Sequence, residues 1–369
     1  MRVPVSRRTF LQLAGAAAVY SSACGVRSYV APSARIRRPF ARVLVSPDRV
    51  IRTVAGLRPY RASGFVLRAE RMGEKLLVHD YGHGGGGVTL SWGTASLAVG
   101  ELSGWTGPAD RCAVIGCGAV GLATARLLQR RGVTVTIYAK DVPPNTTSNM
   151  AGAQWGPFSV FEDGKTSPAF DDQFSRAARL SWRLFQDLPG ATFGVRWIDN
   201  FSIGDTPPAA PIQSPFYVNG VDLGPRDHPF PARYVRRFTT MLIETPIYLS
   251  ALLRDFLLAG GRLIVRELAS RESIAALEEP VVFNCTGLGA KTLVGDDELT
   301  PVRGQLTFLM PQPEVDYITL MDGPLYMFPR ADGILLGGTF ERGNWSVDPD
   351  PDTQKRIIEA HRQFFEGMR

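Results

Sequence analysis

Apolar residues in this chain fall into short runs at two periods, and their order predicts the architecture. Between Cys112 and Lys140, the run Ala113 to Ile115 lacks polar alternation, as a parallel strand buried on both faces requires. Glycines follow, then Leu122, Ala125 and Leu128 at helical spacing, then the β-branched run Val133 to Tyr138. Gly132 closes the helix. The unit reads as strand, glycine turn, helix, strand.

The same reading extends along the chain. Arg42 to Leu57 predicts a strand and then a segment entering a second one. Phe65 to Arg71 and Lys75 to His79 predict a strand pair across the turn at Arg71, Met72 and Gly73. Val88 to Trp92 and Ala95 to Leu102 predict a helix leading through residues 104–109 into the glycine unit. Further on come a helix from about Phe174 to Leu188, a strand at Tyr234 to Thr245, a helix at Pro246 to Ala259 and a strand at Arg262 to Glu267. Residues 281–284 form a strand that runs into Cys285, Thr286 and Gly287, and Thr353 to Phe365 is an amphipathic helix. The class predicted is α/β, a Rossmann-like domain plus a mixed β-sheet domain.

Within the glycine unit, Gly116, Gly118 and Gly121 make GxGxxG. Gly116 allows the sharp turn, Gly118 lets backbone approach a pyrophosphate, and Gly121 lets helix and strand pack closely. The helix N-terminus supplies a positive end for the phosphates. With a strand before it and a helix after it, the motif predicts dinucleotide binding, without separating FAD from NAD.

Composition changes the picture in two places. The 369 residues suffice for about two domains of roughly 100 to 200 residues each. The net charge of +6 suggests a nucleic-acid partner, but residues 1–38 hold seven arginines and no acid, so the excess belongs to a leader and no nucleic-acid face is predicted. Ser6-Arg7-Arg8-Thr9-Phe10-Leu11 matches a twin-arginine signal, followed by a short apolar core to Tyr20 that cannot span a bilayer. This predicts export through the twin-arginine translocase, a route for folded proteins that suits an enzyme collecting its cofactor before export. Cleavage before Cys24 with acylation of its thiol, or ordinary cleavage, are both open. Cys112, Cys117 and Cys285 then remain as packing residues with no disulfide framework, and His79, His83, His228 and His361 show no metal-ligand spacing with them.

A second glycine cluster, Gly84 to Gly87, is bracketed by aromatics and followed by an apolar run, which points to close backbone approach to a flat ligand. Arg58 precedes Pro59, which holds it on extended backbone. With these residues in view, seven blocks together resemble the D-amino-acid oxidase family of FAD enzymes. They are GLRPYR (56–61), YGHGGGGVT (81–89), AVIGCGAVG (113–121), VPPNTTSNMAGAQW (142–155), NCTGLGA (284–290), VRGQ (302–305) and LYMFPRADGILLGGTFERGNW (325–345). In the family, GxGxxG stands near the N-terminus and the first two blocks close the chain. Here those blocks precede GxGxxG, so the chain resembles a circular permutant of the family.

The resemblance implies FAD as cofactor, a D-amino acid and dioxygen as reactants, and a role for each matching residue. Arg58 would pair with the substrate carboxylate, Tyr326 would donate its hydroxyl to it, and the carbonyl of Gly85 would receive the amine. Gly84, Gly87, Val88 and Thr89 would line the pyrimidine end of the flavin, Thr146 and Thr147 would contact phosphate, and Gly152, Ala153 and Gln154 would face the ring. The family's ribose acid falls on Lys140, so Asp141 is the acid that would take the contact if the turn shifts by one. Asp322 stands where many members carry a lid tyrosine and would alter the side-chain pocket. The implied division is a signal and linker at 1–34, substrate-domain strands at 42–78, an FAD-binding segment at 79–155, mainly substrate domain at 156–250, FAD-binding domain again at 251–300 and substrate domain at 301–369. A glycine, sarcosine or D-amino-acid dehydrogenase, and a catalytically inactive flavin-binding surface protein, are the competing readings.

Overall fold

The alternation of buried side chains along the strands explains how the glycine unit is housed. The computed structural model describes residues 40–207 and 215–369, and the elements named below are those of the described residues. The signal, its arginines and Cys24 lie outside them. On β4 (Arg111–Ile115), Cys112 and Val114 enter one apolar cluster while Ala113 and Ile115 enter another on the opposite face. The strand is therefore covered on both sides, as its unbroken apolar run requires.

This strand is central in a six-stranded sheet ordered β2-β3-β10-β4-β5-β9. Its members are β2 (Val66–Met72), β3 (Lys75–Tyr81), β5 (Thr134–Ala139), β9 (Arg262–Val265) and β10 (Val281–Asn284) beside β4. All pairings are parallel except that of β2 with β3. Helices α1 (Gly87–Gly100), α2 (Ala119–Arg130), α3 (Pro168–Phe185) and α4 (Thr245–Leu258) contribute to one of the two clusters. Ten of the fourteen residues of α1 are buried, as its apolar sequence demands of a helix inside the fold. The other face is closed by Leu268, Ile274, Leu277 and Leu293.

The second sheet has the order β1-β11-β14-β13-β12-β6-β8-β7, with β15 (Glu341–Arg342) beside β11. Here β1 is Val50–Tyr60, β6 Val195–Gly204, β7 Val218–Leu223 and β8 Tyr234–Ile243. The remaining strands are β11 (Thr300–Leu309), β12 (Tyr317–Met321), β13 (Tyr326–Arg330) and β14 (Gly333–Gly337). Helix α5 (Pro351–Glu366) packs on this sheet, and Asp350 caps it by accepting from the amides of Asp352 and Thr353.

Several elements differ from the sequence expectation. Residues 42–46 form no strand. Leu44 instead exchanges its backbone hydrogen bonds with the side chain of Gln312, at 2.8 and 3.1 Å. The hairpin of β2 and β3, placed by sequence among the substrate-domain strands at 42–78, lies in the six-stranded sheet because Leu76 to His79 pair with Val281 to Asn284. Helix α3 begins six residues before Phe174, since Ser167 accepts from the amide of Phe170 and Pro168 suits the first turn.

Candidate active site

The site begins with strand register. On β11, Gly304 and Leu306 share a face, and Arg303 and Gln305 take the other, where they bond the segment that leads into α5. Gly304 lies opposite Gly56 of β1, two residues before Arg58 on the same face. Leu306 lies opposite Gly337, which in turn lies opposite Tyr326. Register thus brings Arg58 and Tyr326 to one face of one sheet, from segments 268 residues apart in the sequence.

Two glycines let these side chains lie flat. A β-carbon at Gly304 would stand 2.5 Å from Nη1 of Arg58, and one at Gly337 would stand 2.1 Å from Cζ of Tyr326. Both residues line a cavity of about 1100 Å³. Nη1 of Arg58 is buried without a hydrogen-bond partner among the described residues. A guanidinium donor left in that state calls for an anionic ligand, and the planar fork suits a carboxylate. The ring of Phe340 lies 6.0 Å from the guanidinium carbon.

The same cavity runs along the carboxyl ends of the parallel strands, where open α/β sheets bind their ligands. Gly116 turns with φ of +110°, and its amide donates to the carbonyl of Tyr138 at 2.8 Å. A β-carbon there would meet the carbonyl oxygen of Cys285 at 2.5 Å. Gly121 packs its helix onto the carbonyl of Gly116, leaving 2.1 Å for a β-carbon. Gly118 precedes α2 as its N-cap. These features fit a bound dinucleotide: a cradle that side chains would fill, at the positive end of a helix.

The remaining expected residues also line this cavity: Gly84, Gly85, Gly87, Val88, Thr89, Asp141, Thr146, Thr147, Gly152, Ala153 and Gln154. The glycine run is needed because residues 156–159 press against it. β-Carbons at Gly84 and Gly85 would stand 2.2 and 2.8 Å from the carbonyls of Ser159 and Phe158. Some side chains are already engaged. Thr146 donates to Asn149 at 2.7 Å, and the amide nitrogen of Gln154 donates to Asn200 at 2.6 Å.

Sequence reasoning passed over one hydroxyl and two side-chain pairings on the wall. Ser148 places its hydroxyl where it accepts from the amide of Ala119 at 3.0 Å, at the start of α2. Asp80 and His83 form a pair beneath the glycine run, with Nε2 and Oδ1 3.1 Å apart, and burial pushes the Asp80 carboxyl above its ordinary range. Lys140, at the expected acid position, is paired with Glu267 at 3.3 Å. The spacing of Asp80 and His83, three residues apart around a turn, was the available signal for the second. Asp322 does not reach the cavity wall. Its carboxylate turns to Gly204 and accepts from the amide of Asp205 at 3.1 Å, so the acid is taken up by the sheet edge.

Cys112, Cys117 and Cys285 are buried free thiols, and burial pushes Cys112 and Cys117 up to about 12. No group of three or more metal-ligating side chains occurs among the described residues, and no described helix is long and apolar enough to cross a membrane.

Comparison with known proteins places the chain in a family. The family model DAO, described as FAD dependent oxidoreductase, matches residues 111–369. A D-amino-acid oxidase of Rubrobacter xylanophilus is 32% identical over 259 residues, covering 67% of this chain and 75% of that protein. Human D-aspartate oxidase is 29% identical over 262 residues, covering 67% and 74%. In fold, the chain is similar to the crystal structure of glycine oxidase from Geobacillus kaustophilus, with a TM-score of 0.52 at 16% identity over 70% of this chain and 80% of that one.

Proposed function

The chain belongs to the DAO family of FAD-dependent oxidoreductases, and from that premise we propose that it oxidises D-amino acids at Cα with dioxygen as electron acceptor. The products are a 2-oxo acid and ammonia, from hydrolysis of the imine, together with hydrogen peroxide. FAD, when bound, supplies the hydride-accepting and oxygen-reducing chemistry. The chain's own residues bind and aim the substrate. Arg58 takes the carboxylate in a two-pronged pair, Tyr326 donates to the same group, and the carbonyl of Gly85 accepts from the neutral amine.

The observation that carries this reading is the buried, unpartnered Nη1 of Arg58 on the same sheet face as Tyr326, in the cavity that also holds the GxGxxG turn. The wall beside the clamp is apolar, with Leu320, Phe328 and Phe340. The lining cations Lys140 and Arg266 stand on the β5 and β9 side, at the nucleotide end. A substrate with a neutral side chain fits such a wall.

The permuted order of the chain is part of the proposal. The family match starts at residue 111 and leaves out residues 56–89, which carry Arg58 and Gly85. Those residues nevertheless supply β1 to the substrate sheet and β3 to the nucleotide sheet. The segments that an unpermuted chain would join lie together: Arg42 donates to the carbonyl of Met368 at 2.7 Å, and Tyr317 to that of Ala41 at 2.8 Å. Export through the twin-arginine route is likewise proposed, and replacing Arg7 and Arg8 together by lysine should leave the protein in the cytoplasmic fraction.

The test is to purify the full chain, record its visible spectrum and add D-amino acids under nitrogen and in air. Bleaching under nitrogen with peroxide in air supports the proposal. Bleaching without peroxide indicates a dehydrogenase, and a yellow protein that no D-amino acid bleaches rejects D-amino-acid oxidation.

A further inference from the structure

Strand β13 presents Tyr326, Phe328 and Arg330 on one face, at the two-residue period of a strand. Tyr326 belongs to the substrate clamp, and Phe328 stacks on it with ring centroids 4.9 Å apart. The ring of Phe328 also fills the space over Gly152, where a β-carbon would stand 2.2 Å from it. Arg330 is the third member, and the proposed reaction gives it no role.

The Arg330 side chain is fully buried, and its donors are divided between two structures. Nε and Nη2 grip the Asp332 carboxylate at 2.8 and 2.9 Å. Nη1 donates to the carbonyl of Ala151 at 2.8 Å and to the hydroxyl of Thr245 at 3.2 Å. Thr245 in turn donates a hydrogen bond to the carbonyl of Asn149 at 3.1 Å. One guanidinium thereby holds the carbonyls of residues 149 and 151, directly and through one hydroxyl, immediately before the cavity-lining residues Gly152 to Gln154.

We propose that Arg330 is a positioning residue for the flavin: it fixes the loop at 149–154 against β13, so that cofactor loop and substrate strand share one frame. A buried guanidinium is retained at a cost that only full pairing offsets. Asp332 cancels its charge, and the donor left over goes to the loop. Lysine could not do both, because a single ammonium lacks the fixed fork that spans a carboxylate on one side and a carbonyl on the other. Without Nη1, the Ala151 carbonyl loses its charge-assisted partner and the loop gains alternatives to the conformation that meets FAD. Flavin affinity then falls even in molecules that remain folded.

The inference rests on FAD as the cofactor and does not depend on which amino acid is oxidised. The experiment measures the FAD dissociation constant of the full chain from flavin fluorescence on dilution, at a temperature where circular dichroism shows the variant folded. Arg330→Met should raise it about tenfold or more, Arg330→Lys less, and Thr245→Val should raise it in the same direction. Arg52→Ala should leave it unchanged, because Arg52 pairs with Asp332 from the solvent side and does not touch the loop. A merely structural Arg330 would lower the melting temperature with the dissociation constant unmoved, and that result overturns the proposal. A loss in Arg52→Ala equal to that in Arg330→Met also overturns it, since affinity would then follow Asp332. If Arg330→Met does not fold, unchanged affinity in both Arg330→Lys and Thr245→Val overturns it.

Discussion

The guanidinium of Arg58 lies over the bare backbone of Gly304, in space that a single β-carbon would occupy 2.5 Å from Nη1. Position 304 therefore controls the carboxylate site from beneath. Arg58→Ala should raise KM for neutral D-amino acids roughly 150-fold to 4000-fold, equivalent to the about 3–5 kcal/mol lost when one partner of a buried pair is removed. Gly304→Ala should move KM in the same direction, by displacing the guanidinium without removing it. Flavin content should persist in both. Steady-state kinetics and the absorbance ratio of flavin to protein check this, and an unchanged KM in Arg58→Ala removes that arginine from the site.

Tyr326 stands in the same relation to Gly337. Tyr326→Phe keeps the stack on Phe328 and deletes the hydroxyl that donates to the carboxylate. Hydrogen bonds to charged groups contribute about 1.5–3 kcal/mol, so kcat/KM should fall roughly tenfold to 100-fold. Gly337→Ala should cost more than Tyr326→Phe, because its β-carbon would fall 2.1 Å from the ring. Comparison of kcat/KM for the two variants checks the order.

For the cofactor, Gly118→Val should abolish flavin retention, because a branched side chain at the N-cap of α2 stands where the pyrophosphate approaches. Gly116→Ala should also lose flavin, for a different reason. Its φ of +110° and the Cys285 carbonyl 2.5 Å from a β-carbon force the turn itself to move. Both variants should purify colourless, as read from the visible spectrum.

Local sequence spoke clearly wherever one segment builds its own surroundings. The strand, glycine turn and helix from Cys112 onward satisfy their geometry within thirty residues, so period and glycine spacing suffice. The clamp differs. Arg58 and Tyr326 were legible only through resemblance, since their meeting depends on the register of β1, β11, β14 and β13, which no local pattern encodes. Arg330 and the Asp80 and His83 pair went unread because a buried charge looks like a surface charge until its partners are known. Residues 42–46 misled for the converse reason: their apolar run Val43 to Val45 is that of a strand, but the Gln312 side chain takes the bonds that the backbone of Leu44 would have made to a neighbouring strand.

Two buried imidazoles give the fold a predictable acid limit. His361 lies between the carbonyls of Ile357 and Tyr326, at 2.8 and 3.1 Å, and His79 lies between Asn284 and Glu70. Burial lowers the pKa of both below the ordinary value, the nearby carbonyls and Glu70 opposing it only in part. Each imidazole thus binds its proton more weakly when folded than when unfolded. Stability is fully present above about pH 6.5, the unfolded value, and is lost as pH falls through that value towards the depressed folded ones. Each contributes a slope of up to about 1.4 kcal/mol per pH unit in that window. Urea unfolding between pH 8 and 5 should follow this limb, and His361→Gln should make it shallower by about one proton's worth. An unchanged slope in that variant would mean that His361 binds its proton equally well in the folded and unfolded states.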